Sequence, residues 1–491
     1  MYKYINLYEL TKLIDNESVS ENYIRYILSW DSDKQYRHSE IKSIKTFLDC
    51  LDLDRKLVEN FIYSYEIKHL NKEFDLLKVF EDSVVNIEIK SRKTSDEKII
   101  KQLNQNAHYL SMIPKPLFQY CFIASEKKLV TLLDGELKEV AFDELAILIA
   151  LSKDDLTINL DDIFKIGNVL VSPLNNPMDF YEQKYLLTEY QENIKRKIYE
   201  NVSDGAQKYY AITGNAGTGK TLLLYDIAKN ITVDEKVLIV HSGIECEGHR
   251  VINKLFDNIY VIPASKLQQE SLEDFKYFFV DESHRLYFRD FIILTEYIDK
   301  NDGACCVFSF DEKQRMSKSE NESKTLPGIK EKCADFIYEL KNTIRYNKKV
   351  AIFVAALMDL NKPVNGVSLD NIHIVFEASE ERAVEIAKRS EMKGYKYISY
   401  TPSSIYADLD YQKSVHNTHK VIGQEFDKVC MILNDKFRYD RNNKLQAVPH
   451  PNPNYLFTKL LYQGLTRARE EILLIVTNDD MLDKVISIFK S

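Results

Sequence analysis

From Phe61 onward, apolar and polar positions recur at two different periods along the chain. "FIYSYEI", "FDLLKVF" and "VVNIEIK" alternate every second residue or run apolar, and read as strands. "DEKIIKQLNQNAHYLSMI" spaces its apolar residues as a helix does, and "FQYCFIA" returns to strand. Residues 1–60 predict short amphipathic helices, clearest in "KSIKTFLDCL". This mixed order predicts a small α/β domain with a central sheet over residues 61–165. The Pro/Asn-rich "VSPLNNPMDFYEQ" predicts a linker over 166–185. Beyond it, "KYYAITG", "KVLIVHS", "IYVIPA", "YFFVDES" and "ACCVFSF" are five apolar runs separated by helical stretches. Such runs suit a parallel sheet buried on both faces. A second set follows Arg345: "NIHIVFE", "YKYISYT", "KVCMIL" and "EILLIV". The expectation is two tandem α/β lobes, 186–345 and 346–491.

Chemistry enters first at "GNAGTGKT", which fits G-x-x-x-x-G-K-[ST] with Gly214, Gly219, Lys220 and Thr221, and Gly217 between them. It follows the strand "YYAIT" and opens the helix "TLLLYDIAKN", the context in which such a loop cradles phosphates. Lys220 would reach the β- and γ-oxygens of ATP, and the Thr221 hydroxyl would ligate Mg²⁺. Sixty residues later, "YFFVDESHR" ends an apolar strand in Asp281 and Glu282. Asp281 is placed to complete the Mg²⁺ shell and Glu282 to deprotonate the attacking water.

With these motifs in view, residues 186–480 resemble the superfamily 1 helicases, the UvrD-like group. The resemblance implies two RecA-like lobes with ATP between them. It makes Gln191 of "LTEYQ" the adenine-reading residue and Gln314 of "FSFDEKQ" the γ-phosphate sensor. It also assigns Gly423 and Glu425 of "HKVIGQEFDKV" to the second lobe's nucleotide-facing segment. Arg345 of "NTIRYN" and Arg467 of "LTRARE" would neutralise γ-phosphate charge. Two departures stand out: "KVI" precedes Gly423, which leaves the role of Lys420 open, and the lobes lack large inserted subdomains. The compact form and the "GQEFD" wording look closer to bacterial ATPases related to the Schlafen helicase lobe. ATP hydrolysis is therefore expected ahead of duplex unwinding.

The strand "VVNIEIK" carries a second candidate site. Asp75 in "KEFDLLKV", followed by Glu88 and Lys90, gives the spacing D-x(n)-E-x-K. Two adjacent antiparallel strands would bring the three together, the carboxylates holding Mg²⁺ and Lys90 activating water. This looks like the PD-(D/E)XK nuclease fold in its RecB-type version, a restriction-endonuclease-like α/β domain. That version implies a helical Q-x-x-x-Y, supplied by Gln105 and Tyr109, with Gln102 as an alternative glutamine. Glu66 and Glu73 read first as solvated strand charges and second as additional groups for the metal.

Composition narrows the rest. Net charge is −9, so the whole surface is no nucleic-acid polycation, although a local basic groove remains open. Aromatic–basic "DKFRYDRNNK" reads first as a plain exposed loop and second as a source of stacking and phosphate contacts. Only 14 Gly and 11 Pro leave little room for flexible linkers. The seven cysteines form no C-x-x-C pair, and no apolar run is long enough to span a bilayer. These features predict a cytoplasmic protein with a nucleic-acid partner and no membrane. DNA is favoured over RNA; a homo-oligomer and a partner protein both stay open. The function expected is a Mg²⁺-dependent nuclease coupled to an ATP-hydrolysing helicase or translocase, suited to bacterial anti-phage or foreign-DNA defence. The alternatives are an ATP-dependent nucleic-acid-binding regulator with an inactive nuclease fold, and an RNA-targeting nuclease.

Overall fold

The computed structural model describes residues 2–12, 38–67, 70, 72–164, 171–203, 205, 207–231, 235–341, 348–362, 364, 370–401, 414–447 and 455–490. The chain divides into two compact units, residues 1–169 and 170–491.

The first unit is built on one seven-stranded sheet whose spatial order follows the sequence. Its strands are β1 (Tyr4–Ile5), β2 (Phe61–Ile67), β3 (Lys72–Val79), β4 (Val84–Lys90), β5 (Leu117–Ile123), β6 (Lys128–Leu133) and β7 (Glu136–Val140). Among the described residues the helices that flank it include α1 (Leu7–Lys12), α2 (His38–Leu51), α3 (Asp96–Leu110) and α4 (Phe142–Leu151), with a single turn at Leu160–Ile163. Only β4 and β5 pair in parallel, and α3 provides the crossover a parallel pair requires. One sheet face packs Phe61, Leu76, Ile87 and Phe122 against Leu7, Leu10, Ile41, Ile44, Phe47 and Leu145. The described parts of the 1–60 segment are thus part of this core. On the opposite face Ile99 and Leu103 of α3 cover Cys121 and Ile123 of β5.

The β4 pattern shows why this matters for function. Val85, Ile87 and Ile89 point into the main core, so alternation sends Asn86 and Glu88 to the face α3 covers. Both are buried, at 0% and 1% exposure. Burying a carboxylate is costly unless something compensates it.

The second unit holds two parallel sheets. The first contains β8 (Tyr209–Gly214), β9 (Val237–His241), β10 (Ile259–Pro263), β11 (Tyr277–Asp281), β12 (Cys305–Phe310) and β13 (Ile337–Leu340), in the order β10-β9-β11-β12-β8-β13. Helix α5 (Lys220–Ile231) follows β8, and α6 (Glu247–Leu255) follows β9. The second sheet contains β14 (Ile372–Phe376), β15 (Tyr395–Ser399), β16 (His416–Asn417), β17 (Phe426–Leu433) and β20 (Ala468–Val476), in the order β14-β20-β17-β15-β16. Between β17 and β20, β18 (Phe437–Tyr439) and β19 (Leu445–Ala447) form a hairpin.

Two expectations change here. The stretch read as a linker sends Val171, Leu174, Phe180 and Tyr185 into the core of the first lobe, where four large apolar side chains gain more from burial than a tether would. "DKFRYDRNNK" is not a stacking surface: Phe437 is buried, and the Tyr439 hydroxyl donates to Leu357 O at 2.7 Å. Among the described residues, no helix is long and apolar enough to cross a membrane. The seven cysteines are all free thiols.

Candidate active sites

Ligands of open α/β sheets gather beyond the carboxyl ends of the strands, and the ATP-type residues collect there. Between β8 and α5 the backbone turns through Gly217 and Gly219 at φ of 71° and 84°, a region costly for L side chains. A Cβ on Gly214 would lie 2.6 Å from Leu340 O and 2.8 Å from Thr218 Oγ1. Lys220 Nζ donates to Gly214 O at 2.9 Å and Asn215 O at 2.8 Å, and stands 3.7 Å from Asp311 Oδ2.

Because β11 and β12 are neighbours, side chains at their ends meet. Ser309 Oγ donates to Asp281 Oδ1 at 2.6 Å, and Thr221 Oγ1 lies 3.3 and 3.2 Å from the two Asp281 oxygens. Burial alone would raise the Asp281 carboxyl, but His241, Ser309 and Lys220 outweigh it and hold it below its ordinary range. One hydroxyl beside one ionised carboxylate is the protein share that Mg²⁺ takes when nucleotide phosphates complete its shell. Glu282 follows with φ 54° and ψ 37°, a left-handed conformation rare for a non-glycine residue and typical of functional positions. It is 5% exposed, its Oε2 lacks a hydrogen-bond partner, and His284 Nε2 stands 3.5 Å away. Arg285 Nε lies 3.9 Å from the same oxygen, and a buried carboxylate with an oxygen free of hydrogen bonds suits a general base.

The two lobes meet over this site. Gln314 Nε2 donates to Asp311 Oδ2 at 2.9 Å, and Arg467 Nη2 donates to Gln314 Oε1 at 3.1 Å. A polar chain therefore runs from Lys220 through Asp311 and Gln314 to Arg467, which is 4% exposed. Gly423, at φ 76°, packs so closely that a Cβ there would lie 3.0 Å from Leu174 Cδ1 and 3.3 Å from His241 Cε1. Glu425 is buried, and its backbone bonds Asn175 in both directions. Lys420 is exposed and donates to Val415 O at 3.2 Å. Gln191 braces the loop: its Nε2 donates to Thr218 O at 3.2 Å and its Oε1 accepts from Thr188 N at 2.9 Å. Both ends of that amide are engaged within the protein. Arg345 lies outside the described residues.

Replacing Glu282 by glutamine tests the base. The amide keeps the shape but cannot accept a proton, so kcat for ATP hydrolysis is expected to fall by about 10²–10⁴-fold. KM should stay close to the wild-type value. An equal loss in KM would place Glu282 in binding instead.

In the first unit, the antiparallel register that pairs Leu76 with Ile87 sets Asp75 beside Glu88. Asp75 Oδ2 accepts from Ile89 N at 2.8 Å, and Lys90 Nζ stands 3.6 Å from Glu88 Oε2. Burial, then Glu88, then Glu40 push the Asp75 carboxyl well above its ordinary range. Glu88 thus disfavours ionisation of Asp75, a penalty that a bound cation would relieve. Among the described residues no three His, Cys, Asp or Glu side chains group as metal ligands. The pair still fits Mg²⁺, which is commonly held by one or two carboxylates with waters and substrate phosphates.

The helical partners differ from expectation. Gln102 donates to Glu88 Oε2, and Asn106, one turn later, donates to Glu88 Oε1 at 2.6 Å. Gln102, not Gln105, therefore faces the carboxylate, because positions four apart share a helix face. Tyr109 is buried with Lys72 over its ring at 5.9 Å. Glu66 is exposed, and Glu73 accepts from the Ser64 hydroxyl across the strands. Glu40 reaches the site from α2 by accepting from the Tyr63 hydroxyl.

Sequence reasoning missed Asn106, Glu40, Ser309 and His241. Asn106 carried a signal, its four-residue spacing from Gln102. So did Ser309 and His241, as polar residues closing apolar parallel strands. Glu40 carried none, being 35 residues before Asp75.

Residues 207–397 match the family described as the Schlafen group 3 DNA/RNA helicase domain. No curated protein matches the chain. Among solved structures, the Pif1 helicase from Candida albicans is similar at TM-score 0.37 and 12% identity, covering 62% of this chain and 99% of that one. The Arterivirus nonstructural protein 10 helicase is similar at TM-score 0.31 and 14% identity, covering 73% and 72%. The Bacteroides Pif1 helicase with ADP-AlF3 and ssDNA is similar at TM-score 0.32 and 14% identity, covering 62% and 98%. The stretch holding the P-loop, Asp281, Glu282 and Gln314 is thus similar to a Schlafen group 3 DNA/RNA helicase domain.

Proposed function

We propose that the chain joins a Mg²⁺-dependent nuclease to a nucleic-acid-dependent ATPase of the superfamily 1 type, DNA being the favoured polymer. The observation that supports this reading is that each unit brings a group of candidate reacting side chains together. The second unit has Lys220, Thr221, Asp281, Glu282, Gln314 and Arg467 around one loop. The first has Asp75, Glu88 and Lys90 at one point of two adjacent strands. The family match over 207–397 supports a nucleic acid as the polymer.

In the ATPase, Lys220 would bind the phosphates, Thr221 and Asp281 would hold the cation, and Glu282 would take the proton of the attacking water. Arg467 reaches across from the second lobe, so hydrolysis depends on how the lobes close. In the nuclease, Asp75 and Glu88 would hold Mg²⁺, which lowers the pKa of bound water and offsets phosphate charge. Lys90 orients the attacking water, and Gln102 and Asn106 fix the Glu88 carboxylate.

A binding-only reading of the first unit draws on one observation: both Glu88 oxygens already accept amide bonds. A carboxylate has about four lone-pair positions, so these bonds still leave room for a cation. Cleavage that requires Mg²⁺ would exclude that reading.

Nuclease and ATPase in one chain suit defence against foreign DNA. A bacterial host expressing the intact chain should lower phage plaque counts, and Lys90→Ala should remove that protection. Equal protection by both would refute the defence role. ATP turnover with and without single-stranded DNA or RNA tests the motor; turnover that ignores both polymers would refute nucleic-acid dependence.

A further inference from the structure

The imidazole of His241 has so far entered only as a neighbour that favours the ionised Asp281. It ends β9, directly beside β11, and is 1% exposed. Neither ring nitrogen has a hydrogen-bond partner in the protein. A fully buried polar group without a partner is rare and calls for an explanation. Its neighbour His249 offers the contrast: the ring centroids are 4.5 Å apart, but His249 Nδ1 accepts from Cys246 N at 3.0 Å. His249 serves the local backbone; His241 does not.

What His241 faces is Asp281. Its Nδ1 stands 3.6 Å from Asp281 Oδ2, just beyond hydrogen-bond length. Ser309 holds the other oxygen, Oδ1, at 2.6 Å. The Asp281 carboxylate therefore has one fixed oxygen and one that lies between Thr221 and His241. The ring edge next to Nδ1 also meets the second lobe, where a Cβ on Gly423 would be 3.3 Å from His241 Cε1 and 3.9 Å from Asp281 Oδ2.

We propose that His241 is a positioning residue: its Nδ1–H sets the orientation in which Asp281 receives the nucleotide's Mg²⁺, and its ring carries that orientation to the Gly423 segment of the second lobe. The inference rests on the ATPase reading. Nδ1–H would close the 3.6 Å gap when Oδ2 turns, which limits how far the carboxylate can swing. Because the ring fills the space up to Gly423, the turn is felt only if the second lobe is in place.

Two substitutions separate this role from packing. In His241→Asn the amide nitrogen falls near the position of Nδ1; in His241→Gln it falls near Nε2, on the side away from Asp281. Both are polar and of comparable size, and melting temperature confirms that each folds. The readouts are the Mg²⁺ concentration that half-saturates the ADP-dependent gain in melting temperature, the same gain in EDTA, and kcat and KM for ATP.

His241→Gln is expected to raise the half-saturating Mg²⁺ and lower kcat each by about 10-fold, the range seen when a partner behind a metal-binding carboxylate is lost. KM and the gain in EDTA should not move. His241→Asn should recover most of both losses. Wild-type behaviour in His241→Gln, or equal losses in both variants, would overturn the proposal while leaving the ATPase reading intact. A wild-type protein that neither hydrolyses ATP nor gains stability from Mg²⁺ and ADP would overturn the ATPase reading and this proposal with it.

Discussion

Lys220→Ala is expected to lower kcat/KM for ATP hydrolysis by about 10²–10³-fold, the usual loss when one charge-stabilising donor is removed from a preorganised site. The structure gives the reason. Lys220 Nζ is held by Gly214 O and Asn215 O, inside the loop that phosphates would enter. It is also the cation nearest Asp311 that the described contacts show, at 3.7 Å, and Asp311 begins the chain to Arg467. Alanine removes the phosphate contact and leaves a buried carboxylate without its counter-charge. Some loss of stability should accompany the loss of rate, roughly 1–3 kcal/mol for a buried polar group left unpaired. Steady-state ATP turnover and a melting curve on the same preparation check both. Turnover within a few-fold of wild type would mean that phosphate is bound elsewhere.

The second large effect is expected at Lys90. Removing its ammonium should reduce Mg²⁺-dependent phosphodiester cleavage by about 10²-fold or more, the contribution a positioned proton-transfer or water-orienting group makes. ATP turnover should change little. Glu88→Ala should be at least as damaging to cleavage, but it is the less clean test. Glu88 is buried and accepts from Gln102 and Asn106, so truncation also strands two amides. Lys90 has a side chain 24% exposed, and its removal leaves the strand pairing of β4 intact. Gel analysis of end-labelled DNA with each variant, alongside melting curves, separates chemistry from folding. Cleavage by Lys90→Ala at the wild-type rate would remove the nuclease assignment.

The elements most legible in the sequence were those whose burial is one-sided or complete. The apolar runs of the second unit became its parallel strands because parallel sheets are covered on both faces. The P-loop was legible because its glycines answer a local need, backbone conformations at Gly217 and Gly219 that other residues resist. The hairpin of β6 and β7 was overlooked, although "LLDGEL" carries a strong signal. Asp134 and Gly135 have φ of 53° and 81°, the values an Asp-Gly two-residue turn adopts. The Pro/Asn-rich stretch does contain the division between the units after residue 169, but that its residues 171–185 pack as core was illegible for the opposite reason. Pro and Asn mark turns wherever they occur, and nothing local revealed that Leu174 would lodge between Gly248 and Gly423. Around Glu88, the spacing of Asp75, Glu88 and Lys90 was readable, but which face of α3 meets the carboxylate was not. A periodic helix with Gln102, Gln105, Asn106 and Tyr109 offers two polar edges, and only the packing of Ile99 and Leu103 on β5 chooses between them.

The measurement that bears most directly on the account is cleavage of end-labelled single-stranded DNA, and of RNA of the same sequence, in Mg²⁺ with and without ATP. Wild-type protein is compared with Lys90→Ala and Lys220→Ala. Fragments are expected that vanish in EDTA and with Lys90→Ala, and whose rate responds to ATP in the wild type but not in Lys220→Ala. Absence of cleavage of either polymer under every nucleotide condition, or cleavage indifferent to Lys90, would contradict the proposed function.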